Sequence, residues 1–297
     1  MSFRYSAYGL TIELPFPCGP LPDADPTRAS DVIVVEGEVP LNFSSPQSVA
    51  PNCELQDGKI LYRRGPCVGR FLIENPSQVV FRRGKKADQI SINHAFLNCI
   101  MPALLQLRGE LVLHANTAAY NNGAAVISGK TGMGKSTTLA ALMRSGCLMA
   151  TDDLTVIQLD PKGNVVVVPG MPQMHLELKA AERLKFEVDG FERMGANRIR
   201  AVVPIKNEII DTPIPLRAIF ILETKTEGET EIQEISGLEK LQAFMGCQFG
   251  PVLPSSHFER FTVFSALIKQ TPIFLIKRPY GQWTVDTVVR LIKETFQ

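Results

Sequence analysis

Almost no net charge separates acids from bases in this chain: 31 Lys and Arg stand against 30 Asp and Glu, leaving +1 over 297 residues. Dedicated binders of nucleic acid or anionic membranes carry a large basic excess, so neither partner is expected. No apolar run approaches the roughly 18 residues that cross a bilayer. The opening MSFRYSAYGLTIELPFPCGP has no basic stretch followed by an unbroken apolar one, so no signal peptide is expected and the chain is read as cytoplasmic. Six cysteines (Cys18, Cys53, Cys67, Cys99, Cys147 and Cys247) are scattered and never form a C-x-x-C pair. Reduced thiols follow, rather than disulfides or a zinc site. What remains is ordinary for a globular protein, with 45% hydrophobic and 21% charged residues, and long enough for one large or two modest domains.

Residues 1–90 are expected to form a small β-rich region. DVIVVEGEV and KILYRRG are short β-branched or aromatic runs between turn formers, and GRFLIENPSQVVFRRG reads as a hairpin turning at Asn75-Pro76-Ser77. Past Asp88 the spacing of Ile92, Phe96, Cys99 and Ile100 becomes helical, with Pro102 expected to kink or break the helix and Arg108-Gly109 to end it. Two strand-like runs then flank Asn121-Asn122-Gly123, a hairpin signal. Later strands (CLMATDDLTVIQLD, NVVVVPG, LRAIFILE, PIFLIKRP) alternate with helices (KSTTLAALMRSG, LKAAERLK, GLEKLQAFM, TVDTVVRLIKETF), which predicts an α/β catalytic domain over residues 91–297.

Gly129-Lys130-Thr131-Gly132-Met133-Gly134-Lys135-Ser136 fits G-x-x-x-x-G-K-[ST] at each fixed position. Glycines let the backbone curl so that successive N–H groups face phosphate oxygens, and the following helix adds its positive end. Lys135 can reach the β and γ phosphates, and the Ser136 hydroxyl can ligate Mg²⁺. With Thr137 closing the motif, residues 129–137 are the expected nucleotide-binding set, and ATP and Mg²⁺ the expected cofactors. Sixteen residues beyond Ser136 stands MATDDLTVI, where a carboxylate at a strand end suits a metal. Asp152 and Asp153, on opposite faces of a strand, could divide two tasks, one at the metal and one as base on an acceptor hydroxyl. His114 and Asn116 share a strand face. No Leu-Ser-Gly-Gly-Gln-like signature, apolar run ending Asp-Glu or Asn-Lys-x-Asp motif occurs, which sets aside transport ATPases and guanine-nucleotide switches.

The stretch LHAN…VISGKTGMGKSTTLAALMRSGCLMATDDLTVI resembles the C-terminal catalytic domain of the HPr kinase/phosphorylase family. The shared elements are His114, Gly129 to Ser136, Arg144-Ser145-Gly146 and Asp152-Asp153. LQLRGELVLHAN, VVPGMPQMHLEL, FLIKRP and YSAYGLTIEL are similar to a compact branch containing kinases for a serine of lasso-peptide precursors. The resemblance implies a P-loop kinase domain with the mixed central sheet of that family. It implies Lys135 and the loop amides on the phosphates, Ser136 and Asp153 on Mg²⁺, Asp152 as base, and His114 near the transferred group. The partner so implied is a peptide or small protein bearing a serine, acted on by a monomer or a homo-oligomer.

Departures narrow the expectation to one-way kinase action. Thr137 replaces the acidic residue that follows the family's P-loop serine, and PGMPQMHLELK stands where its Arg-Gly signature would be. The alternatives are a bifunctional HPr-type enzyme and a nucleotide-gated peptide-binding subunit without transfer. Arg108, Lys206, Arg278 and His175 are weaker contact candidates, Arg108 foremost. FRRGKK, residues 81–86, is either a docking patch or a solvated loop end. His94 and His257 have no partner pattern, so no metal beyond Mg²⁺ is expected.

Overall fold

Alternating apolar and polar residues in the first third of the chain build a sheet, seen in a computed structural model that describes residues 2–50, 52–188, 191, 193–194, 199–249 and 257–295. Its strands are β1 (Phe3–Ala7), β2 (Leu10–Leu14), β3 (Val32–Glu36), β4 (Gln47–Ala50), β5 (Cys53–Gln56), β6 (Lys59–Arg63), β7 (Gly69–Asn75) and β8 (Gln78–Arg83). They lie in the order β1-β2-β3-β8-β7-β6-β5-β4, with β3 parallel to both neighbours and every other pair antiparallel. The expected hairpin is β7–β8, where Asn75 pairs with Gln78 across Pro76-Ser77. The aromatic core of this sheet comprises Phe16, Phe71, Phe81 and Phe96, with ring centroids 4.4 Å (Phe71–Phe81), 5.4 Å (Phe16–Phe81) and 6.0 Å (Phe16–Phe96) apart. Within FRRGKK, Arg82 pairs with Glu38 and Arg83 with Glu36, so half its cations are already matched.

Helix α1 (Gln89–Ala95) starts at Asp88, whose side chain accepts from Ser91 N at 2.8 Å, and α2 is Met101–Leu107. Pro102 does not break the run. A π-turn at Phe96–Ile100 joins the two helices, widening the coil where the proline ring would meet the carbonyl four residues back. Gly109, at φ 88°, ends the helix as expected. The stretch Gln89–Leu107 is 19 residues long and apolar enough to cross a membrane, contrary to the sequence expectation, because its polar residues are uncharged. It is 67% buried within the protein, as a core helix is.

The chain divides into two compact units, residues 1–112 with 249–261, and residues 113–248 with 262–297. Helices α1 and α2, expected to open the catalytic domain at residue 91, lie in the first unit.

The remaining elements belong to the second unit, save the first two residues of β9 and the first five of α6: β9 (Leu111–Leu113), β10 (Ala115–Tyr120), β11 (Gly123–Ser128), α3 (Lys135–Arg144), β12 (Leu148–Thr151), β13 (Thr155–Leu159), β14 (Val165–Val168), β15 (Gln173–Glu177), α4 (Leu178–Arg183), β16 (Arg193–Met194), β17 (Arg200–Pro204), β18 (Ile214–Lys225), β19 (Glu231–Ile235), α5 (Gly237–Met245), α6 (His257–Gln270), β20 (Ile273–Pro279) and α7 (Val285–Glu294). The central sheet runs β12-β10-β11-β18-β14-β13-β9, with β20 added on β18 and β19 on β20. It is mixed: β18 runs parallel to β11 and β20, while β10–β11, β10–β12, β13–β14, β14–β18 and β19–β20 are antiparallel. A small antiparallel sheet, β15-β17-β16, stands apart from it. The molecule is therefore a mixed α/β protein with several mixed or antiparallel sheets. Leu139, Leu142 and Met143 of α3 pack with Ile127, Phe220 and Val288 in one fully apolar core. Each such side chain contributes about 1.5–3 kcal/mol when removed from water.

The β10–β11 hairpin turns on Asn121 and Asn122, at φ 46° and 58°, so the two asparagines rather than Asn-Gly occupy the left-handed turn. Gly123 already belongs to β11, where a Cβ would come within 2.3 Å of Arg217 Cγ.

Candidate active site

Strand β11 delivers the chain into a glycine loop, and α3 leaves it. Gly129, Gly132 and Gly134 have φ of 142°, 88° and 87°, conformations that side-chain-bearing residues rarely adopt. At Gly129 a Cβ would also lie 2.7 Å from the Leu222 carbonyl oxygen. The first α3 bond is from Thr138 N to Gly134 O, at 2.8 Å, so the preceding amides have no carbonyl within the helix to serve. Thr131, Gly132, Gly134, Lys135, Ser136 and Thr137 line a cavity of about 350 Å³. Gly129, Lys130 and Met133 instead face a neighbouring hollow of about 450 Å³.

Lys135 is buried, and its ammonium donates to Gly129 O at 2.9 Å and to His114 Nε2 at 3.1 Å. Burial lowers its pKa, opposed by the Asp153 charge. Burial, and next the Lys135 charge, also hold His114 below its ordinary value. A neutral His114 accepts at Nε2 and donates from Nδ1 to Asp153 O, 3.3 Å away, which assigns its tautomer from the network.

Asn116 fixes both aspartates. Its Nδ2 donates to Asp152 Oδ1, and its Oδ1 accepts from Asp153 N at 3.3 Å. Asp152 also faces Ser136 Oγ at 3.4 Å and accepts from His175 N at 2.7 Å, with His175 Nδ1 3.2 Å away. Burial and the adjacent Asp153 push the Asp152 carboxyl up. Burial pulls His175 down, but the hydrogen bond to Asp152 and the charges of both aspartates more than reverse that and leave it raised.

The two aspartates do not take opposite faces of a strand. β12 ends at Thr151, Leu154 N bonds back to Asp152 O at 2.8 Å, and Asp153 adopts a left-handed φ of 62°. That bend brings both carboxylates toward His175 Nδ1, Asp153 at 3.8 Å, and Asp153 also lies 4.0 Å from Arg200. Asp152, Asp153 and His175 can together present ligand atoms to one cation. Asp152 is buried, whereas Asp153 opens onto the cavity.

Of the weaker candidates, His175 and Arg278 line the cavity, and Arg278 donates to Met133 O at 2.6 Å. Arg108 does not. It lies in the first unit, where it donates to Pro76 O at 3.2 Å, and Lys206 is an exposed side chain. Sequence reading passed over Glu177, Arg200 and Trp283, which also line the cavity. Glu177 was within reach, standing two residues after His175 and so on the same strand face; Arg200 became its neighbour only through the β15–β17 pairing.

No protein-family model and no curated protein sequence matches the chain. Among solved structures it is similar to the Hpr(Ser) kinase/phosphatase from Coxiella burnetii, at 9% identity over 62% of this chain and 88% of that one, with a TM-score of 0.32. A score that low does not assign the fold.

Proposed function

We propose that the chain is a P-loop kinase that uses ATP and Mg²⁺ to phosphorylate a serine hydroxyl of a peptide or small protein, a lasso-peptide precursor being the acceptor that the sequence resemblance favours. One observation carries this reading: Ser136 Oγ, at the start of the helix after the glycine loop, faces the Asp152 carboxylate at 3.4 Å on a cavity that Asp153 also lines. Oxygen donors of this kind suit Mg²⁺, and two ligands at right angles in its octahedral shell lie about 2.9 Å apart, so a small closure would seat both. When bound, the cation neutralises charge on the phosphoryl oxygens. Lys135, released from His114 and Gly129, would turn to the β and γ phosphates.

The geometry favours an exchange of the roles expected for the aspartates. Asp152 is buried against Ser136 and suits the metal side, while Asp153 opens to the cavity, where an acceptor can reach it. The serine oxygen attacks the γ-phosphorus, the bond to the β–γ bridging oxygen breaks, ADP leaves, and the hydroxyl proton passes to Asp153. A positioned base contributes about 10²–10⁴-fold. Mass spectrometry of serine-containing precursor peptides incubated with ATP and Mg²⁺ should show the gain of one phosphate. Bare ATP hydrolysis with all peptides would defeat the kinase reading. Asp153→Asn should lose at least a hundredfold in transfer while binding nucleotide, and Asp152→Asn should weaken Mg²⁺-dependent binding. The opposite pattern would restore Asp152 as the base.

A further inference from the structure

Resting on that reading, we propose that the indole of Trp283, with the Arg183 guanidinium over its ring, forms the seat for the purine base of the nucleotide. The loop fixes the polarity of a bound triphosphate. Lys135 takes the terminal phosphates, so the α-phosphate and the sugar leave the cavity over the start of α3, past Thr137. A second hollow of about 650 Å³ opens there, walled by Thr137, Glu177, Lys179, Glu182, Arg183 and Trp283. Thr137, Glu177 and Trp283 line both hollows, so the two adjoin along these side chains.

Trp283 is the only tryptophan in the chain, and it remains 39% exposed in the short segment between β20 and α7. Arg183, at the end of α4, sets its guanidinium 4.9 Å from the indole centroid. An indole with a guanidinium over its ring, at the exit of a phosphate cavity, offers a base a surface on which aromatic stacking and cation–π attraction act together. Glu177 and Glu182 add carboxylate acceptors for an exocyclic amino group, which matches adenine and gives an inorganic phosphate chain nothing.

Calorimetry on the full chain, with Mg²⁺ and either a non-hydrolysable ATP analogue or inorganic tripolyphosphate, separates the two parts of a nucleotide. The wild type should bind the analogue at least tenfold more tightly than tripolyphosphate. Trp283→Ala should lose about tenfold for the analogue while its tripolyphosphate affinity stays within twofold, and Trp283→Phe should keep most of the affinity. The analogue should quench the lone tryptophan's fluorescence and tripolyphosphate should not. Equal affinities in the wild type, or equal weakening of both ligands by Trp283→Ala, would overturn the base seat alone. If neither ligand binds the wild type, the phosphate-loop reading falls with it. Should Trp283→Ala fail to fold, the phenylalanine variant and the wild-type fluorescence decide.

Discussion

Individual residues at this site are held in states that the isolated side chains would not choose. His114 is kept below its ordinary pKa of 6.5, first by burial and then by Lys135, whereas His175 is raised by Asp152 against its own burial. The consequences have opposite sign. A depressed His114 binds its proton less readily in the folded state than in the unfolded one. Its contribution to stability is present above the unfolded value and is lost as pH falls from there toward the folded value. His175 stabilises below its unfolded value, and that share is lost as pH rises through its folded one. In metal-free protein, ring resonances assigned with His114→Asn and His175→Asn should titrate below and above 6.5 respectively; the reverse order would contradict the hydrogen-bond network. Gly129→Ala tests the loop at the same scale. With φ at 142° and a Cβ 2.7 Å from a carbonyl oxygen, the variant should lose about 1–3 kcal/mol, read as a lower urea midpoint.

Among elements, the β10–β11 hairpin matters most, since it ends in the strand that enters the loop and carries Asn116. Its turn needs two left-handed residues, and asparagine tolerates that conformation where β-branched residues do not. Asn122→Val, at φ 58°, should cost about 1–2 kcal/mol in denaturant titration, whereas Asn122→Gly should be neutral or stabilising. Much at this scale was legible in the sequence. Both hairpins, the helix after the glycine loop and the Gly109 stop followed from short-range chemistry acting over a few residues. Helix α6 was not anticipated, and neither were β1, β2 and the β15–β17 pairing. The strands of the last pair are separated by more than twenty residues, and only pairing brings Glu177 opposite Arg200. Pro102 misled for a related reason: its ring forbids a regular turn, and the π-turn that avoids the clash leaves no mark in composition.

At the scale of the molecule, the chain visits its first unit twice, leaving after Val112 and returning for residues 249–261. The site belongs wholly to the second unit, so ligand binding should stabilise that unit in particular. A non-hydrolysable ATP analogue at a hundred times its dissociation constant adds about 2.7 kcal/mol to the state that binds it. Hydrogen exchange should slow in β10, β11 and α3, with β5 to β8 unchanged. Phe81→Ala probes the other unit. Loss of a fully buried ring stacked on Phe71 should cost about 3–5 kcal/mol in denaturant titration, while calorimetric affinity for the analogue is retained.

By itself the sequence determined the glycine loop, its lysine and serine, the paired aspartates and the strand–loop–helix order around them. Those features depend on backbone conformations and donor types that neighbouring residues specify. Tertiary structure decided which aspartate faces Ser136, because the bend at Asp153 and the grip of Asn116 arise between strands rather than along one. It also decided that His175, a weak candidate from spacing, joins the carboxylates, and that Trp283 stands beside Thr137. Those side chains lie about 20 to 150 residues apart in the chain. Only sheet pairing and the packing of α3 against α7 bring them to one cavity.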